Sequence, residues 1–120
     1  MKKETYFKKA TELYDSIIPT KREIREKCEK YIQMVLEENG GTLDFNDYET
    51  DEWVSVPYDG GNHPEYASNC FSTVNGVFLD KNGSICLDTE DCSDYPLEYV
   101  NWDDVYNVAE FINIHILKKS

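Results

Sequence analysis

Near the start of the chain, apolar residues recur every three or four positions, at Tyr6, Phe7, Ala10, Leu13, Tyr14, Ile17 and Ile18. That spacing predicts an amphipathic helix with one stripe toward a core. Pro19 ends it, because proline lacks an N–H and disfavours helix in the residue before it. Thr20 and Glu23 have the spacing of a capping box, so a second helix is expected to begin there. Its buried face is predicted as Ile24, Cys28, Tyr31, Ile32 and Val35. Glu23 with Lys27, and Glu26 with Lys30, are spaced for surface ion pairs worth ~0.2–0.5 kcal/mol each. Asn39-Gly40-Gly41 closes the helix.

The period then changes to two. Leu43 alternates with Phe45, and Val54 with Val56 and Tyr58, as in strands with one buried face. Pro57 marks an edge strand or a strand end. A longer β-rich run follows from Cys70 to Leu79, where Gly76 predicts a bulge. Asp80-Lys81-Asn82-Gly83 is the clearest turn, and Ile85 and Leu87 continue on the return strand. Two polar loops interrupt the sheet, residues 59–69 and 88–96, the first long enough to suggest a functional loop. A final helix is predicted with Asn101 as its cap, Asp103 and Asp104 in the first turn and Lys118 and Lys119 near the end. Trp102, Val105, Tyr106, Ala109, Ile112 and Ile116 line one side of it. Val108, Phe111 and Ile114 widen the apolar arc, as expected of a helix buried against both sheet and helix, or of one facing a partner.

The order predicts an α+β fold: two N-terminal helices, a small antiparallel β-sheet of three to four strands with a hairpin turning at Asp80–Gly83, and a C-terminal helix on the same face. One domain is expected over residues 1–120, with the helical pair in 1–38, the sheet in 42–88 and the last helix in 101–118. At 120 residues, 40% hydrophobic and 13% aromatic, the chain can bury a core despite its charge. No stretch approaches the ~20 apolar residues of a membrane-spanning helix, and no apolar segment follows the basic start. A cytoplasmic protein is therefore expected, with Cys28, Cys70, Cys86 and Cys92 reduced.

Charge is divided unevenly. Residues 1–38 hold nine basic and eight acidic side chains, a net of +1, whereas residues 39–120 hold three and sixteen, a net of −13. Such a field repels phosphate backbones and anionic membranes and attracts basic proteins. Direct nucleic-acid and membrane partners are thus disfavoured. Neither Gly40-Gly41 nor Gly60-Gly61 continues into a phosphate-binding loop.

No motif defines a reaction. His63, Cys70, Cys86 and Cys92 offer zinc-type ligands, but no Cys-x-x-Cys occurs and a cysteine within a strand is ordinarily a small buried hydrophobe. The acid-rich segments 44–49 and 88–94 lack the glycine and closing glutamate of an EF-hand loop. His115 is expected to be structural. His63, near Glu65, Ser68 and Cys70, is the one candidate for a ligand, metal or hydrolytic site. No cofactor, metal or catalytic residue is therefore assigned, and a non-enzymatic protein is expected.

The remaining chemistry is recognition. Tyr48, Trp53, Tyr58, Tyr66, Tyr95, Tyr99 and Trp102 are interleaved with Asp and Glu, the composition of an interface that captures a basic protein. Surface acid that serves solubility alone is the plainer reading of the same composition. The expected contact residues are Tyr58, Asp59, His63, Glu65 and Tyr66 in the first loop, and Glu90, Asp91, Asp94 and Tyr95 in the second. Immunity proteins, antitoxins and DNA mimics that block restriction enzymes share this small, acidic α+β profile. The chain is expected to be a monomer or a homodimer.

Overall fold

Helix α1 (Lys3–Tyr14) and helix α2 (Lys21–Glu38) form the predicted pair in this computed structural model, which describes residues 2–17, 20–57 and 71–117. Helix α2 buries Ile24, Cys28, Tyr31, Ile32 and Val35 as its periodicity predicts, and Leu36 in addition. Helix α1 buries only Ala10 fully, and its aromatic residues make the remaining contacts. Phe7 lies 5.2 Å from the Tyr31 ring, and Tyr14 stacks on Tyr106 at 4.0 Å. Ile17 departs from expectation and is 100% exposed. The helix stops at Tyr14, so its period no longer dictates where Ile17 faces. Ile18 and Pro19 lie outside the described residues.

Local polar contacts differ from those the spacing suggests. Thr20 is the N-cap of α2, but its side chain makes no capping bond, so the Thr20–Glu23 box does not form. The ion pairs along α2 are Arg22–Glu26 at 3.1 Å and Arg25–Glu29 at 2.9 Å, not those starting at Glu23 and Glu26. Arg22 takes Glu26, while the Lys27 ammonium lies 5.7 Å from the Tyr6 ring centre.

Among the described residues the sheet has five strands, all antiparallel: β1 (Thr42–Asp44), β2 (Ser55–Pro57), β3 (Phe71–Leu79), β4 (Ile85–Thr89) and β5 (Tyr95–Pro96). Strand β3 is the hub, pairing with β1, β2 and β4. Strands β1 and β2 lie end to end along one edge of β3, opposite residues 76–78 and 71–73 respectively. Phe45 does not extend β1. It starts a 3₁₀ turn, Phe45–Asp47, in which the Asp44 carboxylate accepts the Asn46 N–H. Pro57 is the last described residue of β2, which among the described residues pairs with β3 alone.

The predicted bulge forms. Val74 pairs with Thr89 and Gly76 with Asp88, leaving Asn75 as an extra residue on β3. The extra residue reverses the alternation, so Ser72 and Val74 before it and Val77 after it are all buried. Gly76 is required for steric reasons: a Cβ there would lie 2.6 Å from the Leu43 carbonyl oxygen of β1. The β3–β4 turn closes as a type I turn with a glycine bulge, Gly83 adopting φ +82°. The Asp80 carboxylate accepts the N–H groups of Asn82 and Ser84 there.

Helix α3 (Trp102–Phe111) runs into a π-helical turn, Ile112–Leu117. Asn101 is its N-cap as predicted, with its side chain making no capping bond to the helix backbone. The wide apolar arc of α3 is largely consumed inside the molecule: Val105, Val108, Ala109, Ile112 and Ile116 are fully buried. Phe111 packs 5.0 Å from Phe45, whereas Ile114 remains exposed. The three helices and one face of the sheet enclose a contiguous buried cluster. Among the described residues no helix is long and apolar enough to cross a membrane.

Two consequences follow for stability. Gly76→Ala should cost about 1–3 kcal/mol in urea unfolding, because backbone and not a flexible side chain must give way. Burial pushes the Cys28 thiol up to about 12, with Glu29 adding to the effect. The folded state then holds a proton that an unfolded thiol releases near pH ~8.5. Stability should therefore be full below about pH 8.5 and fall steadily toward about 12. Unfolding measured at neutral pH and at successive alkaline values should show this slope, and Cys28→Ala should flatten its first part.

Candidate functional site

Two acidic surfaces stand out from the sheet half. The first is the β4–β5 loop, where a dense hydrogen-bond set fixes the backbone. The Thr89 N–H and hydroxyl both donate to the Cys92 carbonyl, at 2.8 and 2.9 Å, and the Thr89 hydroxyl accepts the Cys92 N–H at 3.0 Å. From β3, the buried Ser72 hydroxyl accepts the Asp91 N–H at 3.0 Å, and the Thr73 carbonyl accepts the Glu90 N–H. The chain is thus tied at both ends and in the middle while Glu90, Asp91 and Asp94 are exposed. Tyr95 is half-buried against the core and donates its hydroxyl to the Pro57 carbonyl at 3.4 Å. Of the four residues expected here, three carboxylates share one exposed loop and the tyrosine braces it from below. Tyr58, Asp59, His63, Glu65 and Tyr66 lie outside the described residues, as do Ser68 and Cys70.

The second surface was not singled out from the sequence. Trp53, between the 3₁₀ turn and β2, is 71% exposed. Trp53 lines two open hollows, of about 320 and 230 Å³, and Glu52 and Phe111 line both as well. Glu110, Ile114 and His115 complete one hollow, and the bulged Asn75 and Tyr48 belong to the other. Ile114 is 43% exposed, and His115 packs on Phe111 at 5.0 Å. An aromatic residue amid Asp47, Asp51 and Glu52 was visible in the sequence, but its exposure was not.

Charge pairing separates the two halves. Among the described residues every ion pair belongs to α1 and α2. No Lys or Arg pairs with Glu52, Glu90, Asp91, Asp94 or Glu110 there. Burial raises the Asp104 pKa, with Asp103 adding to it and the Asn101 side chain opposing it. This carboxylate belongs to the first turn of α3.

Catalytic chemistry finds little support in the described residues. A hollow of about 490 Å³ lies between α2 and the β3–β4 turn and contains Cys86 beside Asp80. Burial raises the Cys86 pKa, and the Asp80 and Asp94 carboxylates raise it further, so the group stays a thiol at neutral pH. Its sulfur donates toward Asp80 Oδ2 at 3.9 Å, and Cys92 toward Asp94 Oδ1 at 3.5 Å. Among the described residues no three His, Cys, Asp or Glu side chains gather to hold a metal ion. No family model, curated protein or solved structure matches the chain.

The locked acidic loop makes a direct prediction. Thr89→Val and Ser72→Ala should each cost about 1 kcal/mol and raise amide exchange at Cys92 and Asp91 respectively by roughly fivefold to tenfold. Exchange at Val77 and Leu87 should rise by no more than the loss of global stability measured in urea, which hydrogen-exchange NMR would resolve.

Proposed function

We propose that this chain is a small, acidic, non-enzymatic binding protein that captures a basic protein partner. The observation that carries the reading is the β4–β5 loop, which holds Glu90, Asp91 and Asp94 exposed on a backbone fixed by Thr89 and Ser72. A rigid display of carboxylates without neighbouring cations keeps its full field for an incoming partner and loses little entropy on binding. Flexible surface acid kept only for solubility gains nothing from three such backbone anchors. An immunity or antitoxin role, in which the acidic face covers the cationic site of a toxin, fits this arrangement. So does a DNA mimic that offers carboxylates in place of phosphates to a nucleic-acid-binding protein.

Electrostatic capture has a defined salt signature. Co-purification from the native host should retain a basic protein at low salt and shed it at high salt, with mass spectrometry naming it. Asp91→Lys combined with Asp94→Lys should slow association about a hundredfold at low ionic strength and leave the melting curve in place. Retention that ignores salt, or capture unaffected by the double reversal, would remove the reading.

A further inference from the structure

The Trp53 surface carries a more specific assignment, one that rests on the capture reading. A tryptophan exposed to this extent loses apolar burial unless something covers it. Here three features converge beside it. The two hollows that it lines leave room for a flat group to lie against the indole. Ile114 and His115 reach one hollow from the π-helical turn, an irregularity frequent at functional sites. The β3 bulge brings Asn75 to the other, and bulges re-aim side chains at such places.

The charge of the lining selects the occupant. Glu52 belongs to both hollows and Glu110 to one, and among the described residues neither hollow is lined by a Lys or Arg. Asp47 and Asp51 are exposed on the same β1–β2 connection. Nucleic acid and anionic lipid are repelled by this field, and a second copy of a chain with net charge −12 is disfavoured for the same reason. A cation is attracted. Between the two protein cations, arginine is planar, weakly hydrated and able to stack on an indole while its edge donates to carboxylates. Lysine offers a compact, strongly hydrated charge with less to gain from the ring.

We infer that Trp53, with the hollows lined by Glu52 and Glu110, is the seat for an arginine side chain of the basic protein partner. The guanidinium stacks on the indole, and the two glutamates accept its N–H groups. Ile114 and Phe111 receive the apolar residue beside that arginine.

The test uses the intact chain and the peptide acetyl-Ala-Arg-Leu-Arg-Ala-amide at low ionic strength, with versions carrying lysine or citrulline in place of arginine. The chain has two tryptophans, so heteronuclear NMR follows both indole N–H signals, and Trp53→Phe assigns them. The arginine peptide should shift the Trp53 indole and the backbone signals of Glu52, Glu110 and Ile114 in a saturating way. It should leave Trp102 in place, bind at least about threefold tighter than the lysine peptide, and lose binding as citrulline. Trp53→Ala should weaken the arginine peptide about tenfold or more, and Glu52→Gln with Glu110→Gln should do so comparably. Because Trp53 is outside the core, an unchanged circular dichroism spectrum will accompany these losses. Shifts confined to residues 90–94, or equal binding by Trp53→Ala, would overturn the arginine seat while leaving acidic capture intact. Absence of peptide binding would also overturn the seat, and the salt-dependent co-purification decides the capture reading separately.

Discussion

Everything in the sheet half depends on the extra residue at Asn75. Strand β3 pairs with three other strands and must keep one face on the helices along its whole length. A nine-residue strand with strict alternation would turn Val77 outward once Ser72 and Val74 face inward. The bulge restores the phase, so Val74 and Val77 both reach the core and Leu43 and Leu87 join Val77 in one row. It also brings β1 so close that only glycine fits at residue 76. Sequence, register and core are linked at that one point.

The helices are fixed to this sheet by a second set of contacts around α2. Tyr31 is fully buried, with Phe7 against its ring and its hydroxyl donating to Asn113 Oδ1 at 3.3 Å. Arg25 reaches across to the connection between β5 and α3, donating to the Leu97 carbonyl at 2.7 Å and to the Val100 carbonyl. Both acceptors belong to the 3₁₀ turn Leu97–Tyr99 and its cap, and charge-assisted donors suit such carbonyls. The clamp and the buried tyrosine set the start and the end of α3. They thereby decide where its π-helical turn emerges, beside Trp53.

Electrostatics follows from that geometry. The basic residues of α1 and α2 are partly neutralised by helix partners, as with Lys3 between Glu4 and Glu38. No Lys or Arg of the described residues pairs with Glu52, Glu90, Asp91 or Asp94 on the exposed loops of the sheet half. Its field is therefore directed outward from two places, the locked β4–β5 loop and the Trp53 ridge. One supplies charge for long-range attraction and the other supplies area for a close fit, and specific interfaces combine the two.

Local rules made much of this legible in advance. The faces of α2 and α3 follow from a period of 3.6, the Asp80–Gly83 hairpin from its turn residues, and the bulge from a glycine inside a strand pattern. The uneven charge is a property of composition and needs no fold. The Thr20–Glu23 capping box, the pairing of Glu23 with Lys27 and of Glu26 with Lys30, and the inward position of Ile17 were misjudged because several partners compete for each group and neighbours in space choose among them. Tyrosines outside the helices show the same limit: Tyr95 is half-buried and donates to the Pro57 carbonyl, whereas Tyr99, four positions on, is exposed. Residue order alone therefore determined the three helices, the β3–β4 hairpin, the apolar faces of α2 and α3 and the sign of the field. Tertiary structure alone decided that Ser72 would anchor Asp91, nineteen positions away, and that Trp53 would line two hollows. Periodicity constrains neighbours along the chain, whereas exposure and polar pairing are set by residues that meet only when the chain has folded.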